Sequence, residues 1–229
     1  TVPGRSNEKL TARYADANIT LNKRESDELM KAYHKKASAE LPVGIESIPC
    51  EDNTKYRTDV TKILFVGAKY YPNQYGIRWF CENVFPIIPQ KCELTIVGRG
   101  MEIMREELEK DNIHVIGGVE SLTPYYQEAD VVIAPIFDGA GMKVKTAEAL
   151  AYGKRFYATK ESLIGYNDNL SEPCRELIVE CNTPDEFVRA FSRIKQGSPK
   201  WNLPVRKYFE EYYSEEAITK KMGSILRRK

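Results

Sequence analysis

The sequence predicts an α/β protein built on a doubly wound, mostly parallel six-stranded sheet, with a remnant of a preceding domain at its N-terminus. Three observations carry this. Short aliphatic and β-branched runs recur from Lys62 onward, segments of helical period separate them, and glycine-bearing segments follow four of the runs. Runs that are apolar at every position read as strands buried on both faces, as a parallel sheet requires. Strands alternating with helices imply βαβ units with right-handed crossovers.

The strand runs lie at 63–66, 94–97, 113–116, 131–134, 155–158 and 177–179. Between them, Leu122, Tyr125, Tyr126 and Ala129 sit at i, i+3, i+4 and i+7, as do Phe187, Ala190, Phe191 and Ile194. Ile77, Phe80 and Val84 line a further helix, which Asn73 can cap after Pro72.

Upstream, residues 18–21 read as one strand, and a helix is expected from Ser26 to about Ala39 with Leu29, Ala32 and Tyr33 facing inward. One strand and one helix cannot enclose a core, so residues 1–45 read as the tail of an incomplete preceding domain. Residues 46–61 are polar and read as a linker, and 62–200 as the main domain. Residues 201–229 begin with an expected turn at Trp201-Asn-Leu-Pro204. Helices follow at about 205–213 and 215–226, the last with an apolar stripe of Ile218, Met222, Ile225 and Leu226. The first residue is Thr1 rather than Met, the expectation for a processed or truncated chain.

Composition narrows the function. Lys plus Arg is 34 and Asp plus Glu is 33 in 229 residues, so no global charge draws the chain to nucleic acid. The apolar runs are far too short to cross a bilayer. Five cysteines without CxxC spacing and only two histidines, His34 and His114, make no zinc constellation. Reduced thiols in a cytosolic protein are expected instead.

In a doubly wound sheet, ligands sit beyond the carboxyl ends of the strands, where the strand order reverses. Gly67, Gly98-Arg99-Gly100, Gly117-Gly118 and Asp138-Gly-Ala-Gly141 follow the first four runs. Each glycine taken singly fits an ordinary βα turn; together they mark a cleft. The fourth is the most specific, because Gly141 leads directly into a helical stretch, Met142-Lys-Val-Lys-Thr-Ala-Glu148-Ala. A helix start offers free N–H groups and the positive end of the dipole, which suit a diphosphate. Lys143 and Lys145 put positive charge where the dipole disfavours it, which favours an anion there, although two solvated lysines remain the plain alternative. Glu148, between two alanines, is suited to accept hydrogen bonds from ribose hydroxyls, or is a partly exposed glutamate in a helix-forming stretch.

At these residues the sequence resembles the GT-B glycosyltransferases of family 4, in the branch carrying Gly-x-Gly-Ile/Met-Lys-x-Lys-x-x-Glu-Ala. Further segments agree in order: Ala15-Asp-Ala-Asn-Ile-Thr-Leu, Leu41-Pro-Val-Gly-Ile45, Phe65-Val-Gly67 with Tyr71-Pro-Asn73 and Ile77-Arg-Trp-Phe80, then Ile116-Gly-Gly-Val119 with Ala129-Asp-Val-Val-Ile-Ala-Pro135. The resemblance spans 15–165. It implies the C-terminal, donor-binding half of an enzyme that moves a sugar from a nucleoside-diphosphate sugar to a glycan or lipid-linked acceptor. It further implies retention of anomeric configuration, no metal and no cofactor, the nucleotide sugar being a substrate. By the resemblance, Glu148 holds the ribose, and Gly141, Met142 and Lys143 meet the diphosphate. Gly118 and Val119 contact the base, Gly67 lies beneath the phosphates, and Lys69 with Arg99 supplies the basic pair after the first strand.

Two positions depart from the family pattern. Its paired glutamates stand eight apart, but Ala140 occupies that place here. Asp138 can take the role, with Lys143 as the second catalytic candidate, or Asp138 is a turn-former before glycine. The basic pair shrinks to Lys69, with Arg99 as helper.

The fragment alone is expected to bind donor weakly and turn over little, since the missing N-terminal domain carries the acceptor side. Alternatives are a non-catalytic nucleotide-sugar-binding module, motivated by Ala140, and a GT-B epimerase or phosphorylase, for which the two histidines offer poor acid/base groups. A dinucleotide oxidoreductase lacks its GxGxxG after Phe65. Location is expected to be cytoplasmic. Peripheral membrane contact on that face is a further reading, hinted at by Arg227-Arg-Lys229, which ordinary charge at a helix C-terminus explains equally.

Overall fold

The computed structural model describes residues 3–48 and 59–227. Most of the expected linker, together with Cys50, Arg228 and Lys229, lies outside the described residues.

The main sheet has six strands: β3 (Thr61–Val66), β4 (Cys92–Val97), β5 (Ile113–Gly117), β6 (Val131–Ala134), β7 (Arg155–Ala158) and β8 (Ile178–Glu180). Their spatial order is β5-β4-β3-β6-β7-β8, and every pairing is parallel, where the sequence predicts a mostly parallel sheet. The order reverses between β3 and β6, which are therefore the central pair and flank the switch point. The apolar runs mark the strands because side chains on both faces are covered: Ile63, Leu64 and Phe65, like Val131 to Ala134, are buried throughout.

Helices α3 (Tyr71–Asn83), α4 (Arg105–Leu108), α5 (Thr123–Glu128), α6 (Val144–Ala151), α7 (Lys160–Leu163), α8 (Glu172–Arg175) and α9 (Pro184–Ser192) connect the strands or follow them. α10 (Leu203–Tyr212) and α11 (Glu215–Leu226) close the chain. α9 starts with a full capping box, Thr183 with Glu186. Trp201 to Pro204 is not a separate turn: α10 begins at Leu203 with Pro204 in its first turn, where a missing N–H is harmless. The predicted stripe of α11 is only half-buried, and Leu226 is exposed.

α3 corrects a capping expectation. Tyr70 is the N-cap and Pro72 lies in the first turn, so Asn73 is already helical and its side chain turns elsewhere. The N-terminal region differs further. A polar helix α1 (Pro3–Tyr14) precedes β1 (Ile19–Thr20), which pairs in parallel with β2 (Ala39–Glu40). α2 runs Lys23–Tyr33 rather than from Ser26 to Ala39, because Asn22 caps its start and His34 stops it in the left-handed conformation at φ 55°. Leu29 and Tyr33 are half-buried and Ala32 is exposed, so none of the three is a core residue.

Residues 45–48 are tied to the C-terminal helices. Ile45 bridges Ser214, its N–H donates to Tyr213 O at 3.1 Å, and Arg206 Nη1 donates to Ile48 O at 3.0 Å. The described cysteines, Cys81, Cys92, Cys174 and Cys181, are free thiols buried in the core; burial pushes those of Cys81 and Cys181 up to about 12. Among the described residues no helix is long and apolar enough to cross a membrane.

Candidate functional site

The loops beyond β3, β4 and β5 are laced together by their backbones. Gly67 N donates to Val97 O at 2.9 Å, Lys69 N to Arg99 O at 2.8 Å, and Gly98 N to Gly117 O at 2.7 Å. Gly98 is required for this: a Cβ there would stand 1.9 Å from Gly67 O. Lys69 and Arg99 are both exposed on this rim, and Gly118 lies 3.5 Å from the Arg99 Cα, measured from where its Cβ would be. The structure thus brings Gly67, Lys69, Arg99 and Gly118 onto one edge. Val119 is half-buried and rests on the hydrophobic core, so its side chain anchors the loop from below.

Beyond β6 the chain turns through Phe137 to Gly141 into α6. Gly141 has φ 66°, and a Cβ there would meet nothing within 4 Å, so the turn's outer side is open. Asp138 is exposed, and its Oδ1 accepts from Gly139 N at 2.7 Å, the geometry of a turn-forming aspartate. Ala140 is likewise exposed. Met142 is buried with its sulfur packed over Gly165, so it offers the site only its backbone.

Lys143 is the N-cap of α6, and its ammonium is fully engaged. It donates to Glu161 Oε1 at 2.9 Å and to Gly141 O at 3.1 Å. Glu161 takes Arg24 Nη1 on its other oxygen at 2.9 Å. The carbonyl of Lys143 accepts from Tyr166 Oη at 3.1 Å. α6 is held further by Thr146, which donates to Ser162 O at 2.9 Å, while Ser162 donates to Ala134 O at 2.8 Å. Of the first N–H groups of α6, that of Thr146 donates to Lys143 O at 2.9 Å and that of Ala147 meets the Tyr166 hydroxyl. The Val144 and Lys145 N–H groups are therefore the ones at the helix start with no carbonyl a turn earlier.

Lys145, one turn residue further, is half-buried. Its Nζ donates to Asn73 Oδ1 at 2.5 Å and lies over the Phe65 ring, 5.0 Å from the centroid. Asn73 Nδ2 donates to Ala68 O at 2.8 Å. Burial first, then the charge of Lys143, lowers the Lys145 ammonium to about 8.

Glu148 is half-buried on α6, and Tyr126 of α5 donates to its Oε2 at 3.2 Å. Tyr126 has no exposure, and burial, then the Glu148 charge, holds its hydroxyl firmly protonated. Its ring stacks on Tyr152 at 4.3 Å with planes 9° apart, and Tyr152 Oη meets Thr123 Oγ1 at 2.7 Å. The loop carrying Gly118 and Val119 is therefore tied through α5 to Glu148. The sequence marks Tyr126 only as part of an apolar helix face and Asn73 only as a cap, and marks Glu161 not at all.

A cavity of about 690 Å³, lined by residues including Asn22, Glu40, Asp168 and Glu216, lies beside α2 and α11. None of the predicted site residues lines it. Among the described residues no group of His, Cys, Asp and Glu can hold a metal ion.

The family model described as "Glycosyl transferases group 1" matches residues 60–196. A curated Klebsiella pneumoniae protein, described as an uncharacterized 44.6 kDa protein in cps region, is 30% identical over 101 residues, covering 38% of this chain and 26% of that protein. Among solved structures, Anabaena HepE in complex with UDP and glucose is similar at TM-score 0.71 and 12% identity, over 98% of this chain and 66% of its own. Pneumococcal GtfA, an O-GlcNAc transferase solved with UDP and GlcNAc, gives TM-score 0.63 at 12% identity over 96% and 47%. S. aureus TarM gives 0.68 at 10% over 96% and 45%. At such identities these likenesses show the fold, and the chain spans less than two thirds of each relative's length.

Proposed function

The chain belongs to the group 1 glycosyl transferases, and from that premise we propose that it is the donor-binding part of a GT-B enzyme. The reaction moves a sugar from a nucleoside diphosphate to a glycan or lipid-linked acceptor, with retention and without metal. The observation that carries this reading is Glu148, held by Tyr126 at the carboxyl edge of a sheet whose order reverses between β3 and β6. One carboxylate oxygen is engaged by the tyrosine and the other is left to accept from ribose hydroxyls. The open turn at Gly141 and the N–H groups of Val144 and Lys145 at the start of α6 receive the diphosphate, where the helix dipole favours the negative charge that grows as the sugar departs. Gly118, above the anchored Val119, lies under the base, and Lys69 and Arg99 form a basic rim. Asp138 stands at the sugar end of the turn.

UDP is the ligand in the HepE and GtfA structures, which supports a nucleoside diphosphate here. The cps region of the Klebsiella relative supports a place in polysaccharide biosynthesis. The acceptor side belongs to a domain before residue 46, and the enzyme works at the cytoplasmic face. Titrating the chain calorimetrically with UDP, GDP and ADP tests the reading: one nucleotide binds, and Glu148→Ala weakens it about tenfold or more. No heat with any of the three at millimolar ligand would sink it.

A second reading is favoured by Ala140 and by Asp138 being turned onto Gly139. A nucleotide-sugar-binding module without catalysis would bind as above. It would stay inactive when the N-terminal part is restored, whereas the enzyme would become active.

A further inference from the structure

The two lysines at the start of α6 are alike in sequence and opposite in circumstance. Lys143 is the family-implied partner of the diphosphate, yet its charge is already matched. Glu161 takes it at 2.9 Å, and two backbone carbonyls, those of Gly141 and Ala140, face the same ammonium. To meet a phosphate it would have to give up a partly buried ion pair whose side chains are 13% and 16% exposed.

Lys145 has no ion-pair partner among the described residues, and its placement is determined by three separate segments. Phe65 of β3 lies beneath its ammonium, and Asn73 in the first turn of α3 accepts from it. Gly67, directly after β3, makes the space: a Cβ there would stand 3.1 Å from Lys145 Nζ and 2.9 Å from Asn73 Cγ. The orientation of the Asn73 amide follows from its partners. Ala68 O can only accept and an ammonium can only donate, so Nδ2 faces the first and Oδ1 the second. The result is a cation delivered to the junction of β3, α3 and α6, beside the point where the strand order reverses.

That arrangement is unfavourable in isolation. Positive charge within the first turn of a helix opposes the dipole, burial penalises it, and Lys143 repels it. Glu148 favours the charge but makes no ion pair with it. An anion at the switch point would offset the combined cost of all three.

We propose that Lys145, aimed by Asn73 and admitted by Gly67, is the residue that contacts the donor's diphosphate, and that Lys143 instead shapes the turn by pairing with Glu161. This rests on the nucleoside-diphosphate reading above and names the cation within that site. Asn73 is a positioning residue, acting through Lys145.

The test is calorimetric titration of the chain with inorganic pyrophosphate and with UDP, GDP and ADP, using wild type, Lys145→Met, Lys145→Gln and Lys143→Met. Methionine keeps the apolar stem over Phe65 and removes the charge; glutamine does so with a polar end towards Asn73, should the first variant not fold. Either Lys145 variant is expected to weaken pyrophosphate and nucleotide alike by about tenfold or more, whereas Lys143→Met weakens them less than about threefold. Wild-type affinity in the Lys145 variants, or a larger loss in Lys143→Met, overturns the assignment while leaving nucleotide binding intact. Binding of pyrophosphate that depends on Lys145, without binding of any nucleotide, supports the cation and sinks the nucleotide reading. A wild type that binds neither overturns both.

Discussion

Glu161 and Lys143 meet at 2.9 Å, carboxylate to ammonium, across the gap between the start of α7 and the N-cap of α6. The pair sits among carbonyls rather than in free solvent, so it behaves as part of the turn's framework. Glu161→Gln keeps the shape and removes the charge that Lys143 and Arg24 share. A loss of about 1–3 kcal/mol in urea unfolding is expected, with nucleotide affinity falling by less than about threefold because the turn that the pair shapes is loosened. Unaltered stability would show that the pair contributes nothing.

Tyr126→Phe leaves the ring stacked on Tyr152 and deletes one hydrogen bond to Glu148. Stability is expected to fall by about 1 kcal/mol, and nucleotide affinity several-fold, since the carboxylate loses the contact that fixes its rotamer. Inorganic pyrophosphate, which has no ribose, should bind as to wild type. Equal losses for both ligands would mean that the tyrosine supports the fold only.

The Lys145 ammonium titrates near 8 in the folded chain against 10.5 when unperturbed, with burial as the leading cause. Between these values the unfolded chain holds more protons, so stability from this group rises with pH; it is fully present above 10.5 and is lost as pH falls through 8. The stability of wild type relative to Lys145→Met, from urea curves, should climb between about pH 8 and pH 10. A flat difference would refute the burial of its charge.

Two glycines on the same rim should respond differently to alanine. At Gly98 the added Cβ meets the Gly67 carbonyl at 1.9 Å, backbone that cannot step aside, whereas at Gly118 the nearest atom is 3.5 Å away. Gly98→Ala is expected to cost about 3 kcal/mol or more, or to prevent folding, and Gly118→Ala less than about 1 kcal/mol. Thermal unfolding of the two variants decides it.

The strands were legible because burial on both faces leaves no polar position to break the run, as 131–134 shows. The loops beyond them were legible because glycine is the residue that tolerates such close backbone approach, as Gly98 does. α1 was not, since Pro3–Tyr14 carries few apolar residues and presents no stripe. The partners of the site residues were equally hidden. Asn73 lies 72 positions from Lys145, Tyr126 lies 22 from Glu148 and Glu161 lies 18 from Lys143. Such polar pairs leave no period behind; only the folded chain brings them together. Asn73 reads locally as a cap but is already helical and turns to Lys145, and Lys143 and Lys145, alike in the sequence, are told apart only by the distant Glu161 and Asn73.

Arg24 reaches Glu161 from the far side of the expected linker, and Ile45 is stitched to Ser214 by the backbone. The consequence falls on where such a protein can be cut and recombined. A chimaera that joins a foreign front half at residues 49–58 would exchange Arg24 for whatever residue arrives there, and with it the guanidinium that fixes the second oxygen of Glu161 while the first holds Lys143. The transplantable unit is thus discontinuous with its sequence boundary: it includes the stretch from β1 to Ile45, and donor-site swaps that carry only the part after the linker will arrive with a loosened turn at α6.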